Sequence, residues 1–322
     1  MSTRTPGGTT VVLAAMLLFG SAVAQEYPAR TVRVIVPFTP GGGTDLMARI
    51  TAGKLSSMLG QQFVVDNRPG AGTVVGSEIA ARAPGDGYTI LMQVNSLAAN
   101  HTLYPKLPYD TLRDFMPVVL VGDTPNVLVI HPSMPVKTVG QFVALAQKRP
   151  DEIVYASSGV GGASFLATEY FKMLTGVKML HVPYKGTAPA LSAILAGETQ
   201  AMIAAAPGTI SFIRSEKLRA LGVTGEKRWP VMPELPTLIE AGVKDFEFAT
   251  WYGLFAPRGT SPEIVSKLNA TINKMLVMPD VKEQMQRGGF EAAGGTSESF
   301  TAYFRREVEK LGKVIRTTGA KP

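Results

Sequence analysis

Residues 31–36 read Thr-Val-Arg-Val-Ile-Val, a β-branched run that predicts a buried strand. Five turn-forming residues follow, and from residue 45 to 59 apolar side chains return at helical spacing, predicting a helix. The alternation continues with strands expected over 63–66 and 88–92. After an intervening stretch it resumes: strand 153–156, helix 164–174, strand 179–182, helix 189–196, strand 201–204. Two helices are expected near the end of the chain. One spans 262–278, opened by Ser261 as cap with Pro262 at the first position. The other spans 297–315, where Phe300, Phe304, Val308, Leu311 and Ile315 form one apolar stripe.

Strands that alternate with helices predict an α/β fold with largely parallel sheets. The 322 residues, 45% of them apolar, suit two domains of ordinary size. A first crossing between them is expected in "PVVLVGDTPNVLVIHPSMP", where Gly122-Asp123-Thr124-Pro125 interrupts two apolar runs. A return crossing falls in "FEFATWYGLFAPRGTSP". The expected division is a leader over 1–24, one domain of 25–123 plus 250–322, and a second of 124–249.

The leader rests on Arg4, an apolar run from Val11 to Phe19, and Ala22-Val23-Ala24, the pattern of a secretory signal peptide. With no cysteine, the chain carries neither a disulfide framework nor a cysteine-linked lipid. The net charge of +7 comes from bases scattered among acids, with only short pairs such as Lys148-Arg149. That distribution speaks against nucleic acid as a partner. An exported, periplasmic, monomeric protein is expected.

Three glycine-rich loops follow predicted strands. The first, "PFTPGGGTD", lacks the Gly-Lys-Ser/Thr ending of a P-loop, and Leu46 stands where a dinucleotide fingerprint needs its third glycine. Asp66, at the end of the next strand, resembles a ribose-binding acid, although a turn role in "DNRPGAG" is the better reading. What remains is a place where backbone N–H groups meet an anion at a helix N-terminus. Thr44 or Asp45 is expected to cap that helix. The second loop, "SSGVGG", adds serine hydroxyls, and the third, "YKGTAP", places Thr187 as a cap ahead of Pro189. Together they suggest a two-lobed trap, since ligands bind at the carboxyl ends of strands in open sheets. The histidines at 101, 131 and 181 stand alone in sequence, without metal-ligand spacing, and no G-x-S-x-G elbow occurs. No catalytic residue, metal or cofactor is expected. An exported enzyme or a ligand sensor is the alternative class.

In order, "VPFTPGGGTDLMAR", "VVDNRPGAGTVVGSEIAARAPGDGYTILM", "LPYDTLRDFMPV", "YASSGVGG", "HVPYKGTAPALSAILAG", "LPTLIEAG" and "WYGLFAPRGTSPEIVSKLN" resemble the Bug family, the periplasmic solute receptors of tripartite tricarboxylate transporters. The resemblance implies a two-lobed clamshell, each lobe a mixed, largely parallel sheet flanked by helices, that delivers an organic anion to integral membrane subunits. It implies ligand contacts at Phe38, Thr39, Pro40, Gly42, Gly43 and Thr44, at Ser157, Ser158, Gly159 and Gly161, and at Thr187. Where many relatives carry a histidine this chain has Phe165, and where amino-acid binders carry an aspartate it has Ala204. These departures imply an aliphatic or aromatic carboxylate in preference to an amino acid.

Overall fold

The β-branched run at residue 32 becomes the first strand of a computed structural model that describes residues 1–3 and 26–322. The expected leader therefore lies outside the described residues except for its first three positions. In chain order come β1 (Val32–Val36), α1 (Gly43–Leu59), β2 (Phe63–Asn67), α2 (Val74–Ala81), β3 (Thr89–Gln93) and α3 (Asn95–Leu103). A 16-residue strand follows, β4 (Phe115–Ile130). Next are α4 (Val139–Lys148), β5 (Val154–Ser157), α5 (Ala163–Thr175), β6 (Leu180–Pro183), α6 (Thr187–Leu195), β7 (Ala201–Ala205), α7 (Ile210–Arg214) and β8 (Arg219–Val223). The chain returns through β9 (Ala249–Pro257), α8 (Pro262–Leu276), α9 (Pro279–Arg287), β10 (Glu291–Ala292) and α10 (Ser297–Thr318).

Within each half the β-helix-β units pair in parallel: β1 with β2 and β3, β5 with β6 and β7. Among the described residues, antiparallel pairing enters only where β4, β8, β9 and β10 take part. This is the expected α/β fold.

The segment 122–125, where the sequence suggested a crossing between domains, lies inside one continuous strand. Gly122 and Asp123 pair with Tyr252 and Trp251 of β9 on one side and with Ala292 and Glu291 of β10 on the other. Ladders on both sides outweigh the turn propensity of these residues. Gly122 is needed for another reason: a Cβ there would collide with the Glu291 carbonyl oxygen. Pro125, which has no N–H to give, faces Ala249 at the end of the β9 ladder. From Asn126 onward β4 pairs with β7 and β8 instead. One continuous strand thus belongs to two sheets, and it changes partners at its proline.

The helix α10 buries the stripe seen in the sequence, with Phe300, Phe304, Val308, Leu311 and Ile315 each no more than 6% exposed. Phe300 and Phe304 meet the Trp251 ring edge-on at 6.0 Å, and Glu307 accepts the Trp251 indole N–H at 3.0 Å. The apolar cluster they join also contains Phe165 and Phe171 of α5, so it runs from one half into the other. Ser261 caps α8 by accepting the Ile264 N–H, as expected.

Candidate ligand site

Parallel pairing of β1 with β2 sets Val36 opposite Asn67, and this register builds the first loop. The Asn67 amide donates to the Phe38 carbonyl at 3.1 Å and to Asp45 Oδ1 at 3.0 Å. The other Asp45 oxygen accepts the Gly41 N–H and Arg49 Nε, each at 2.9 Å. Burial alone would raise the Asp45 pKa, but donors from Arg49, Gly41 and Asn67 hold it below the ordinary carboxylate value. Neither Thr44 nor Asp45 caps α1. Gly42, which has no side chain to offer, occupies the cap, and the Asp45 carboxylate folds back onto Gly41, which sits at φ +86°. The N–H groups that open α1 have no intrahelical acceptor. Gly42 and Gly43 are exposed there, and so are Thr39 and Pro40, while Phe38 is half-buried and Thr44 buried. A Cβ on Gly43 would come within 2.8 Å of the Tyr252 hydroxyl, so glycine keeps this approach open.

Asp66 is engaged by Arg33 and by Arg68, the latter at 2.8 Å. Its carboxylate is an ion-pair partner within the turn, which removes the feature that favoured a dinucleotide. Beyond it the backbone takes positive φ at Gly70, Ala71, Gly72 and Thr73 in succession. For a β-branched residue such as Thr73, at φ +79°, this is strained. Gln93 and Asn100 hold it: both side-chain amides donate to the Thr73 hydroxyl, at 3.0 and 3.2 Å, and Asn100 also donates to the Gly72 carbonyl at 2.9 Å.

The second loop hangs from β5. Ser157 is fully buried, and its hydroxyl accepts the Gly159 N–H at 3.1 Å and lies 2.6 Å from His181 Nε2. Ser158 is tied to Ser164 through both its N–H, at 2.8 Å, and its hydroxyl, at 2.9 Å. The serine hydroxyls expected to meet ligand are therefore engaged by His181 of β6 and Ser164 of α5. The third loop is sewn to the second, Tyr184 N donating to the Ser157 carbonyl at 3.0 Å and Gly186 N to that of Ser158 at 3.2 Å. Thr187 does not cap the third helix: α6 begins at Thr187 itself, with Gly186 at φ +113° in the cap position. Phe165 is 4% exposed and packs on the His181 ring, and Ala204 is completely buried in β7 opposite Val127.

The structure thus brings Ser157, Ser158 and Gly159 into one hydrogen-bonded group, with Gly161 in the same loop and Thr187 next to Gly186, which is bonded to it. The first half approaches it through elements the sequence reading passed over. A Cβ on Gly72 would lie 3.4 Å from the Val160 carbonyl, and one on Gly161 would lie 3.0 Å from Leu103 and 3.3 Å from the Asn100 side chain. Asn67, Thr73, Gln93, Asn100 and His181 are the residues that sequence reasoning missed. A polar side chain inside an otherwise apolar segment, as at Gln93 and Asn100, was the available signal.

Glycine loops at strand ends on both halves of a fold joined by shared strands define a periplasmic-binding-protein-like receptor. The chain belongs to the tripartite tricarboxylate transporter family of receptors, whose family model matches residues 47–320. It is 39% identical to the protein BugT of Bordetella pertussis over 300 residues, 92% of either chain. The solved structure of R. palustris Rpa4515 with adipate is 38% identical with a TM-score of 0.86, covering 92% of this chain and 100% of that one. MatC (Rpa3494) from Rhodopseudomonas palustris with bound malate is 32% identical with a TM-score of 0.82, covering 90% and 100%.

Proposed function

We propose that this receptor captures a small organic carboxylate between two lobes, residues 25–123 plus 250–322 and residues 124–249, and presents it to integral membrane subunits of a transporter. The observation that carries the reading is the first loop: exposed Gly42 and Gly43 open a helix whose first N–H groups have no intrahelical acceptor, while the acid beside them, Asp45, is engaged by three donors. Such a site favours an anion, and backbone N–H groups recognise a carboxylate without a fixed cation. Adipate and malate in the related structures support the ligand class.

Phe38, Thr39, Pro40, Gly42, Gly43 and Thr44 hold one end of the ligand. The loop of Ser157, Ser158, Gly159 and Gly161, with Thr187, holds the other. Phe165 and Ala204 shape the selectivity from behind: neither supplies a carboxylate for an ammonium group, so α-amino acids bind poorly. Binding proceeds without turnover. The leader directs export to the periplasm, and the lobes close by flexing β4 and β9 where β4 changes partners.

Thermal unfolding against adipate, malate, an aromatic carboxylate, glutamate and NAD tests this reading. A ligand at one hundred times its dissociation constant adds about 2.7 kcal/mol, visible as a raised midpoint. A shift with a carboxylate and none with glutamate is expected. A shift with NAD alone sinks the proposal.

A further inference from the structure

We infer that His181 is a positioning residue of the carboxylate site, setting the second glycine loop through the hydroxyl of Ser157. The inference rests on the proposed ligand role of that loop. In the parallel register Tyr155 faces His181, and Ser157 lies two residues farther along the same strand, on the same face. The imidazole is consequently stacked on Tyr155 at 4.7 Å, flanked by Phe165 at 4.8 Å, and 2.6 Å from Ser157 Oγ.

Ser157 Oγ accepts the Gly159 N–H on one lone pair and keeps its own proton to give. In the inferred arrangement that proton goes to a bare His181 Nε2, 2.6 Å away, and the ring proton sits on Nδ1. Two charged groups face the ring from α5, Glu169 and Lys172, and they are paired with each other at 2.7 Å. The Glu169 carboxylate also accepts the Tyr155 hydroxyl at 2.7 Å. Burial pushes the imidazole down to about 4, which keeps it neutral at ordinary pH.

A serine hydroxyl this close to an imidazole has the contact of a nucleophile and its base. Ser157 is completely buried, however, and Phe165 and Tyr155 cover the ring, so no substrate carbonyl reaches the oxygen. The pair positions rather than reacts. Its hold on Gly159, at φ +113°, governs the backbone of residues 159–161, and the Ser157 and Ser158 carbonyls carry the order on to Tyr184 and Gly186.

Two variants test this. His181→Phe keeps an aromatic ring in the stack and removes the acceptor, whereas His181→Gln returns an acceptor. In 15N-labelled protein at pH 7, His181 is expected as the neutral tautomer with Nε2 unprotonated. The amides of residues 159–161 and of Gly186 shift in the phenylalanine variant and return toward wild type in the glutamine variant. In parallel, calorimetric titration with adipate and with malate measures affinity. For whichever binds wild type, His181→Phe weakens binding about tenfold, the worth of one net hydrogen bond, and His181→Gln recovers most of it. Unmoved amides, a proton on Nε2, or equal affinity in all three proteins overturns the inference. If neither acid binds wild type, the proposed ligand class is at fault, and the amide and tautomer measurements still decide the role of His181.

Discussion

The first and second glycine loops share one local plan, a buried strand, a glycine turn and a helix start, yet they are fastened by opposite chemistry. The first is held by charge: Asp45 gathers Gly41, Arg49 and Asn67 around one buried carboxylate. The second is held by neutral groups, with Ser157 and His181 beneath it and Ser158 bonded to Ser164. The difference lies in what each fastening leaves exposed. A carboxylate that must not repel an anionic ligand is tolerable only if its charge is consumed locally, and three donors accomplish that. A hydroxyl and a neutral imidazole need no such neutralisation.

The largest effect should come from breaking the charged fastening. Asp45→Ala leaves the Gly41 N–H and the Asn67 amide without their acceptor and is expected to cost about 3 kcal/mol in urea unfolding. It should also abolish carboxylate binding, because the loop that presents Gly42 and Gly43 loses its anchor. Asp45→Asn, which keeps an acceptor oxygen, should recover part of both. If Asp45→Ala unfolds like wild type, the loop is held by its glycines and not by charge.

Next in size is the contact where the halves meet. Gly72→Ala places a methyl group against the Tyr104 hydroxyl and near the Val160 carbonyl, at a residue with φ +58°. The left-handed backbone alone costs about 1–2 kcal/mol for a residue with a Cβ. The methyl should also hinder approach of the second loop, so ligand affinity should fall by more than stability does. Scattering measurements with and without ligand would check it, through a smaller compaction in the variant.

The two fastenings also respond to acid in different windows. The unfolded His181 imidazole titrates near 6.5, whereas in the folded chain it titrates at about 4. As pH falls between those values the unfolded chain takes up a proton that the native chain refuses, so stability drops across that window. Asp45 is depressed instead: its contribution is complete above the ordinary carboxylate pKa near 3.9 and is lost as pH falls through its lower folded value. Between pH 6.5 and 4, unfolding midpoints of His181→Phe should therefore gain on those of wild type as pH falls, whereas Asp45→Asn should follow wild type through that window and depart from it only below pH 4.

How much of this was legible beforehand depended on whether the determining partner was near in sequence. The strand at β1 and the apolar stripe of α10 are read from consecutive or periodic residues, and both formed as expected. Asp45 was readable as a structural acid from its place beside the glycines, although its acceptor role toward Gly41 and Asn67 needed the β1–β2 register. His181 was not legible, because Ser157 lies 24 residues away and only a parallel pairing makes the two neighbours. The helix α3 escaped notice because most of its residues, among them Asn95, Ser96 and Asn100, are buried, which erases the polar face that marks an amphipathic helix.

A second buried acid, in the strand joining the halves, sharpens the contrast by reversing its sign. Asp123 sits in β4 opposite Glu291 of β10, and burial, with that neighbouring carboxylate, pushes it up to about 6. Asp45 has donors around its charge, whereas Asp123 faces another acid. For a carboxylate with a raised folded pKa, the native chain holds its proton over a range where the unfolded chain has released it, so stability falls as pH rises from about 4 to 6. At neutral pH the ionised group is a burden on β4, two residues before its partners change at Pro125. Asp123→Asn should remove that burden, raising stability at pH 7 by up to about 3 kcal/mol while leaving it unchanged near pH 4. A variant that is instead destabilised at pH 7 would mean that the Asp123 charge is solvated or paired, and that the joining strand tolerates ionisation as readily as the first loop does.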